Sequence, residues 1–583
     1  MKSSNQKQAK IASRQGRTGI LFIGITMLIV LNGVTSPVLM AQSKDQEVTI
    51  IAPYKPTILD AGKMNFSPVI TDTVVDRKPM IYSVQTVKPL FSDFQTEPLS
   101  PVLIDLDSKD TLRRNYLKTG FGNYTTPYAE LYSNSLRSDE YSLGFHARHL
   151  SSSGQITDYA TSKFSHNLIS LFGKKYLKDK VLSGNIFYQR DVVHYYGFKP
   201  DDYPENVIDE DDIKQRFQLI GLDAGLASDD SRKNDFNYSS GIRFYQLTDL
   251  FSTSETYFGI NGNAHTKNEF FDFVKRQELG ADVNLEIYNN KDSLQHQGNF
   301  MMNLTPYISL NFGYLDLKIG LNAAISADSS VKVHAYPDIY ASYQVVQGYL
   351  RFYAGISGEL KRNSYKLVSD ENPWVNPLFP LNYTNTRYNI KGGFTGNFNK
   401  ATDYNFKVSY SEVKNMLFYV NNFPEPYSTY DTTAAPGIKF TGLYDDVKLT
   451  EVSVEARYEQ SEKMNLRFGA VYRDYNMTNL TKPWHKPAFE AKIGANYKIN
   501  DQIIVTGDLI YQGKIYARIM EDNTWKVSSR EGFIDLNLGA EYKYSDKISA
   551  FFHINNITAT RYYKWYNYPS QRINAMLGLT FSF

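Results

Sequence analysis

From Tyr116 to Phe583, polar and apolar side chains alternate with a period of two, the pattern of β-strands whose two faces meet different surroundings. Between Ile503 and Ile519 one face reads Ile503, Val505, Gly507, Leu509, Tyr511, Gly513, Ile515, Ala517 and Ile519. The other reads Ile504, Thr506, Asp508, Ile510, Gln512, Lys514, Tyr516 and Arg518. Ile534, Leu536, Leu538, Ala540 and Tyr542 alternate in the same way with Asp535, Asn537, Gly539, Glu541 and Lys543. Strands of a soluble sandwich run to about five or six residues, and the segments 502–519 and 532–545 run well past that. A strand with lipid on one side and water on the other accounts for both the length and the alternation.

Twenty-two such segments are predicted, from 116–122 and 128–134 to 532–545, 547–558 and 571–583; the shortness of the first two leaves 20 as the alternative count. The gaps after odd-numbered segments include 198–213, 363–384, 422–438, 520–531 and 559–570, whereas those after even-numbered segments stay within 8 residues. Outer-membrane barrels have short periplasmic turns and longer external loops. The chain is therefore expected to be all-β, a transmembrane antiparallel up-and-down barrel in the outer membrane of a Gram-negative bacterium, in contact with its lipid and with both termini periplasmic. The final segment places Ile573, Ala575, Leu577, Leu579, Phe581 and Phe583 on one face and ends in Phe, the usual signal for insertion by the barrel-assembly machinery.

The residues ahead of the barrel differ from it. Lys2, Lys7, Lys10, Arg14 and Arg17 precede an apolar stretch from Gly19 to Val34 and then Leu39-Met40-Ala41, the order of a signal peptide cleaved near Ala41. Residues 42–115 show no sustained periodicity and carry repeated prolines between Pro53 and Pro101, which predicts an extended arm, periplasmic or lumenal. The expected organisation is thus a signal peptide over 1–41, a Pro-rich arm over 42–115 and a barrel over 116–583.

Composition sharpens this by exclusion. The chain is 14% aromatic and 21% charged, and past residue 33 no run approaches the about 18 apolar residues of a spanning helix. Disordered chains are poor in aromatics, so disorder is excluded too. With 63 Lys+Arg against 61 Asp+Glu there is no global field to recruit nucleic acid. The absence of Cys removes disulfides, thiolate metal sites, Cys nucleophiles and a lipidated N-terminal Cys. The nine His form no HxxxH pair, and no GxSxG, P-loop or GxGxxG element stands in a suitable context, so neither an enzyme nor a cofactor is expected.

The ending Phe552-His553-Ile554-Asn555-Asn556-Ile557-Thr558, then Arg561-Tyr562-Tyr563, then Tyr568-Pro569-Ser570-Gln571-Arg572 and an amphipathic strand, resembles the C-terminal signature of TonB-dependent receptors. The barrel start Leu117-Lys118-Thr119-Gly120-Phe121-Gly122-Asn123-Tyr124 resembles theirs as well. Glu47-Val48-Thr49-Ile50-Ile51 looks like the short box by which such receptors contact their energising partner. The resemblance implies transport across the outer membrane. It covers the barrel and stops at the N-terminus, because those receptors carry a folded plug and the arm here is too short to be one. A 22-stranded barrel leaves a wide lumen, so the arm, inward-folded loops or another protein must fill it.

Several constellations have two readings. Asp201, Asp202, Glu205, Asp209, Glu210, Asp211 and Asp212 form an acidic loop that matches no calcium-loop spacing and reads as a solvated loop rather than a metal site. Trp374, Trp484, Trp525 and Trp565, with Phe379, His485 and Tyr563 nearby, fall in or beside predicted external loops. They form either an external binding surface or an interfacial girdle. Arg467, Arg473, Asp508, Gln512, Lys514, Arg518, Glu541 and Lys543 are predicted to line the lumen, along a permeation path or against a plugging segment, or merely in salt bridges. The functional expectation is transport of a substrate recognised at the external loops. The alternative is a non-conducting barrel subunit or scaffold of an outer-membrane machine, bound to a periplasmic or outer-membrane protein through its arm.

Overall fold

The computed structural model describes residues 112–583 apart from 204–207, 229–235, 268, 329, 423–436, 461–462 and 523. The predicted signal peptide, nearly all of the predicted arm and the Glu47–Ile51 segment lie outside the described residues. Twenty-two antiparallel strands form one sheet. It closes because Asn115–Gly122 pairs with Thr126–Asn134 on one side and with Asn574–Ser582 on the other. Both short first strands are full members, so the count is 22 and not 20.

Alternation becomes two faces, as the period-two pattern requires. Leu577 and Leu579 are 64% and 58% exposed and continue across the sheet into Phe552 and Leu538, a band that fits hydrocarbon. The opposite face is wet and charged. Lys407, Glu451, Arg473 and Glu490 form a chain with spacings of 2.9, 3.0 and 2.6 Å across neighbouring strands. Arg243 pairs with Asp223 at 2.6 Å and Lys318 with Asp338 at 2.9 Å. Each such pair contributes little to stability.

Asn115 and Phe583 meet at the short-turn end, where their backbones exchange hydrogen bonds of 2.8 and 3.0 Å. The long connections gather at the opposite end, and the well-packed core of the molecule sits there. Tyr195, Tyr365, Phe418, Tyr419, Ile438 and Phe440, all fully buried, come from connections or strand ends at that mouth.

One predicted strand is corrected. The segment 502–519 divides at Gly513: Ile503–Gln512 stays in the barrel, while Ile515–Glu521 turns out and pairs with Thr524–Arg530 as a separate hairpin. The pinch is a close backbone approach, since a Cβ on Gly532 would stand 2.6 Å from the Gln512 carbonyl oxygen and 3.1 Å from Gly513 Cα. The hairpin keeps a period of two because it too has two faces. Ile515 and Ala517 are buried, whereas Lys514 pairs with Glu531 at 2.9 Å and Arg518 lies 3.8 Å over the Trp525 ring. Lys514 and Arg518 are thus hairpin residues rather than part of the barrel wall.

Candidate functional site: a loop cap over one mouth of the barrel

The cap is built around the connection 363–382. Ser364 is extended and its hydroxyl accepts from the Leu367 N–H at 3.2 Å, an N-cap that starts the helix Tyr365–Glu371. Seven residues do not hold a helix by themselves. Glu255, fully buried at the end of the strand Ser254–Lys267, supplies the anchor. Its Oε2 accepts from the Tyr365 N–H at 2.6 Å and Asn290 Nδ2 at 2.7 Å, and its Oε1 accepts from the Lys366 N–H at 3.1 Å and the Tyr245 hydroxyl at 2.9 Å. A carboxylate on the first N–H groups of a helix satisfies donors that have no partner within the helix.

A second carboxylate works alongside. Asp249 Oδ2 accepts from the Tyr365 hydroxyl at 2.9 Å and from Gln215 Nε2 at 3.2 Å. Its Oδ1 accepts from the Thr253 and Phe251 N–H groups at 2.7 and 2.9 Å. Burial raises the Asp249 pKa, opposed by these hydrogen bonds. Tyr365 is accordingly fixed at both ends, its N–H on Glu255 and its hydroxyl on Asp249.

Tyrosines then join the loops pairwise, each placing its ring in the core and its hydroxyl on another loop's carbonyl. Tyr195 donates to the Val375 carbonyl at 3.0 Å, Tyr196 to Pro569 at 2.9 Å and Tyr568 to Ile438 at 2.6 Å. Trp374 Nε1 donates to the His194 carbonyl at 2.9 Å and its ring stacks on Tyr568 at 4.1 Å. Trp565 packs edge-on against Tyr419 and Phe440 at 5.1 and 5.4 Å. Buried aromatics carry large apolar area, and a buried hydroxyl needs a partner; this core meets both conditions with residues drawn from separate loops.

His485, buried and in the left-handed backbone region at φ 57°, locks another connection to the cap. Its Nδ1–H donates to the Tyr419 carbonyl at 2.8 Å and its Nε2 accepts from the Tyr566 N–H at 3.3 Å, so the ring is neutral. Burial lowers its pKa to about 4. Because the packed ring binds its proton less readily than an exposed one, an opened cap takes up a proton first as pH falls from about 6.5. Stability is then lost progressively down to about pH 4, by roughly 3 kcal/mol in all. We expect tryptophan emission to shift to longer wavelength over that interval in wild-type protein and to shift much less in His485→Asn; Asp249 titrates in the opposing sense in both.

The predicted surface residues are therefore divided. Trp484, Trp565, Phe379 and His485 are built into the cap interior, and Trp374 is half-buried in it. They are neither a girdle nor freely presented, because the loops that carry them fold inward. Tyr563 is half-buried, 3.3 Å from the Tyr159 hydroxyl and beneath Arg530. Trp525 alone of the four tryptophans is exposed, at 42%. Of the predicted lumenal residues, Arg467, Arg473, Asp508 and Glu541 lie on the face opposite the apolar band, with Asp508 3.6 Å from Lys492 and Glu541 accepting from the Ser549 hydroxyl at 2.5 Å. Gln512 is buried where the hairpin leaves the wall. In the acidic loop Glu210 pairs with Lys163 at 2.9 Å, and among the described residues no acidic or His group is arranged to hold a metal. Sequence reasoning missed Asp249, Glu255 and Tyr365, and met Tyr568 only within the C-terminal signature; Ser364, an N-cap residue type, is a local signal that could have found the helix.

A closed barrel of 22 strands with an apolar outer band and a charged inner face is the architecture of a large outer-membrane-type β-barrel. Solved structures bear this out. The chain is similar to the pyoverdine outer membrane receptor FpvA from Pseudomonas aeruginosa PAO1 bound to pyoverdine (13% identity, 82% of this chain, 79% of that chain, TM-score 0.60). It is similar also to the FrpB iron transporter from Neisseria meningitidis, F3-3 variant (10% identity, 82% of each chain, TM-score 0.61). A third is the ferric-catecholate import receptor Fiu from K12 E. coli in its closed form (9% identity, 81% of this chain, 82% of that chain, TM-score 0.59). The protein has the fold of the TonB-dependent receptors. No family model matches the chain, and no curated protein matches it by sequence.

Proposed function

We propose that the protein is an outer-membrane barrel that takes part in transport, with its termini periplasmic, its capped mouth external and its substrate recognised where the loops converge. The observation that carries this reading is the cap: a transport-receptor fold whose mouth is closed by its own loops has the form of a gated, not an open, passage. Iron-complex handling by the structural neighbours supports transport as the class. The experiment is conductance of the purified full chain in planar bilayers, where silence at rest is expected and steady large openings would count against the cap as a gate.

The density of the same cap favours a second reading, a non-conducting barrel serving as scaffold for a periplasmic or outer-membrane partner held by the arm. Purification from mild detergent separates the two, since a stoichiometric complex supports the scaffold and a lone barrel supports transport. Deleting residues 44 to 110 is expected to leave the barrel inserted with heat-modifiable gel mobility. With the cap intact that deletion should change conductance little, and it should release any partner that binds the arm.

A further inference from the structure

The outward face changes character at the cap end of three neighbouring strands, Phe164–Leu177, Lys180–His194 and Lys214–Ser228. Residues paired across a sheet share a face. The register therefore places Leu171, Ile186 and Leu222 in one outward row and Ile169, Tyr188 and Ile220 in the next. Ile169 is joined through Ala147, Leu131 and Leu117 to Phe581, on the same face as Leu577 and Leu579. Ile169, Ile186 and Ile220 are each more than half exposed, as lipid-facing side chains are. The row above is Asn167, Arg190 and Gln218, and Arg216 stands one step further toward the cap, opposite Val192. Tyr188 marks the boundary, its hydroxyl accepting from Gln218 Nε2 at 3.0 Å, the position tyrosines take at the level of lipid headgroups.

Both arginines are partly buried, and among the described residues neither makes an ion pair or a side-chain hydrogen bond. Arg216 Nε is enclosed, which leaves its Nη groups as free donors. Carboxylates close by in the chain are engaged elsewhere. Asp191 and Asp223 belong to the inward face, where they meet His166 and Arg243 at 2.9 and 2.6 Å. Asp211 and Glu210 pair with Lys214 and Lys163 at 3.5 and 2.9 Å. Two unpaired guanidinium groups, diagonal neighbours on one pair of strands, offer forks that match phosphate oxygens. A soluble anion would use the arginines alone, whereas a lipid also covers the exposed rows beneath them, and those rows continue the face already given to hydrocarbon. We propose that Arg190 and Arg216 hold the phosphate groups of an acylated lipid whose chains lie along the Ile169–Ile220 and Leu171–Leu222 rows. The site stands whether the barrel transports or scaffolds. Its leaflet rests on the external placement of the cap, which makes the ligand a phosphorylated, multiply acylated glycolipid of the outer leaflet.

The test uses the full chain in detergent, with native mass spectrometry and titration against diphosphoryl lipid A, the same lipid stripped of its phosphates, and phosphatidylcholine. Saturable binding of diphosphoryl lipid A is expected, with the other two held about tenfold or more weakly. Arg190→Gln combined with Arg216→Gln should remove that preference, and Arg190→Lys combined with Arg216→Lys should keep part of it. Arg457→Gln, which takes a charge from beside Glu459 in the row of Arg467 on the lumenal face, should leave it unchanged. Heat-modifiable mobility checks that each variant is assembled, and the wild-type preference decides the matter where one is not. The proposal is overturned if wild type holds the stripped lipid as tightly or if the assembled double Gln variant keeps the preference. Displacement of the lipid by inorganic phosphate at the lipid's own concentration would also overturn it, as the mark of a free-anion site. Orientation is read separately: the chain has no Cys, so Trp525→Cys puts a single thiol on the cap hairpin, and an impermeant maleimide applied to intact cells should reach it. Lipid binding by a barrel whose cap is not labelled would keep the phosphate site and remove the external placement of the cap, so the two failures are distinguishable.

Discussion

Replacing Glu255 by Ala is expected to open the loop end of the barrel without unmaking its wall. The substitution strips the acceptor from four donors at once: the Tyr365 and Lys366 N–H groups, Asn290 Nδ2 and the Tyr245 hydroxyl. Hydrogen bonds to a charged group contribute about 1.5–3 kcal/mol each, and donors left buried without a partner cost about 1–3 kcal/mol. Even with relaxation and entering water, the closed cap should lose at least about 3 kcal/mol, a factor of roughly one hundred in its open fraction. The helix Tyr365–Glu371 is too short to survive the loss of its anchor, and Val368, Val375 and Phe379 leave the core with it. The expected readout is conductance in bilayers and sensitivity of cells to large antibiotics, both rising while heat-modifiable mobility is retained. Glu255→Gln, which keeps one acceptor oxygen, should fall between, and Tyr365→Phe, which removes only the bond to Asp249, should have the smaller effect. Loss of assembly in Glu255→Ala would show instead that Glu255 supports the wall, and the cap would no longer be a separable gate.

This division between wall and cap also marks what could be read from the chain alone. Wall strands were legible because lipid-facing and water-facing side chains alternate along most of a span fixed by the membrane, broken only locally by register shifts such as that between Val413 and Met416. Ser254–Lys267 and Thr402–Asn421 fall where the alternation put them. The same signal misled past Gly513. A hairpin lying on the cap buries Ile515 and Ala517 and turns Lys514 and Arg518 outward, so period two continued although the strand had left the barrel. Tryptophans in long loops left an external surface and an interfacial girdle both open, because composition cannot tell a loop that folds inward from one that stands out. Glu255 looked like any lumenal charge; its main partner, the Tyr365 N–H, lies 110 residues away, and such a contact exists only once the barrel has closed.

The wall itself can be tested at one pair of adjacent residues in the strand Met464–Met477. Phe468 is 40% exposed and aligned with Ile493 of the next strand, on the apolar side. Gly469 points the other way, between Glu455 and Lys492, and a Cβ placed on it would meet no heavy atom within 4 Å. Phe468→Arg is expected to cost roughly 2–4 kcal/mol of folding stability in lipid vesicles, the penalty for a cation on the lipid face near the midplane. Gly469→Arg should cost less than about 1 kcal/mol, because the new side chain enters open, wet space beside a carboxylate and replaces a glycine that weakens a strand interior. The two variants add the same charge at neighbouring positions of one strand, so net charge cannot produce the gap, and strand propensity, which favours the same sign, spans only about 1 kcal/mol. Urea unfolding followed by tryptophan emission measures it. If Gly469→Arg proved the more damaging of the two, the exposed apolar band would not face lipid, and a membrane barrel, gated or scaffolding, would be the wrong account of this sheet.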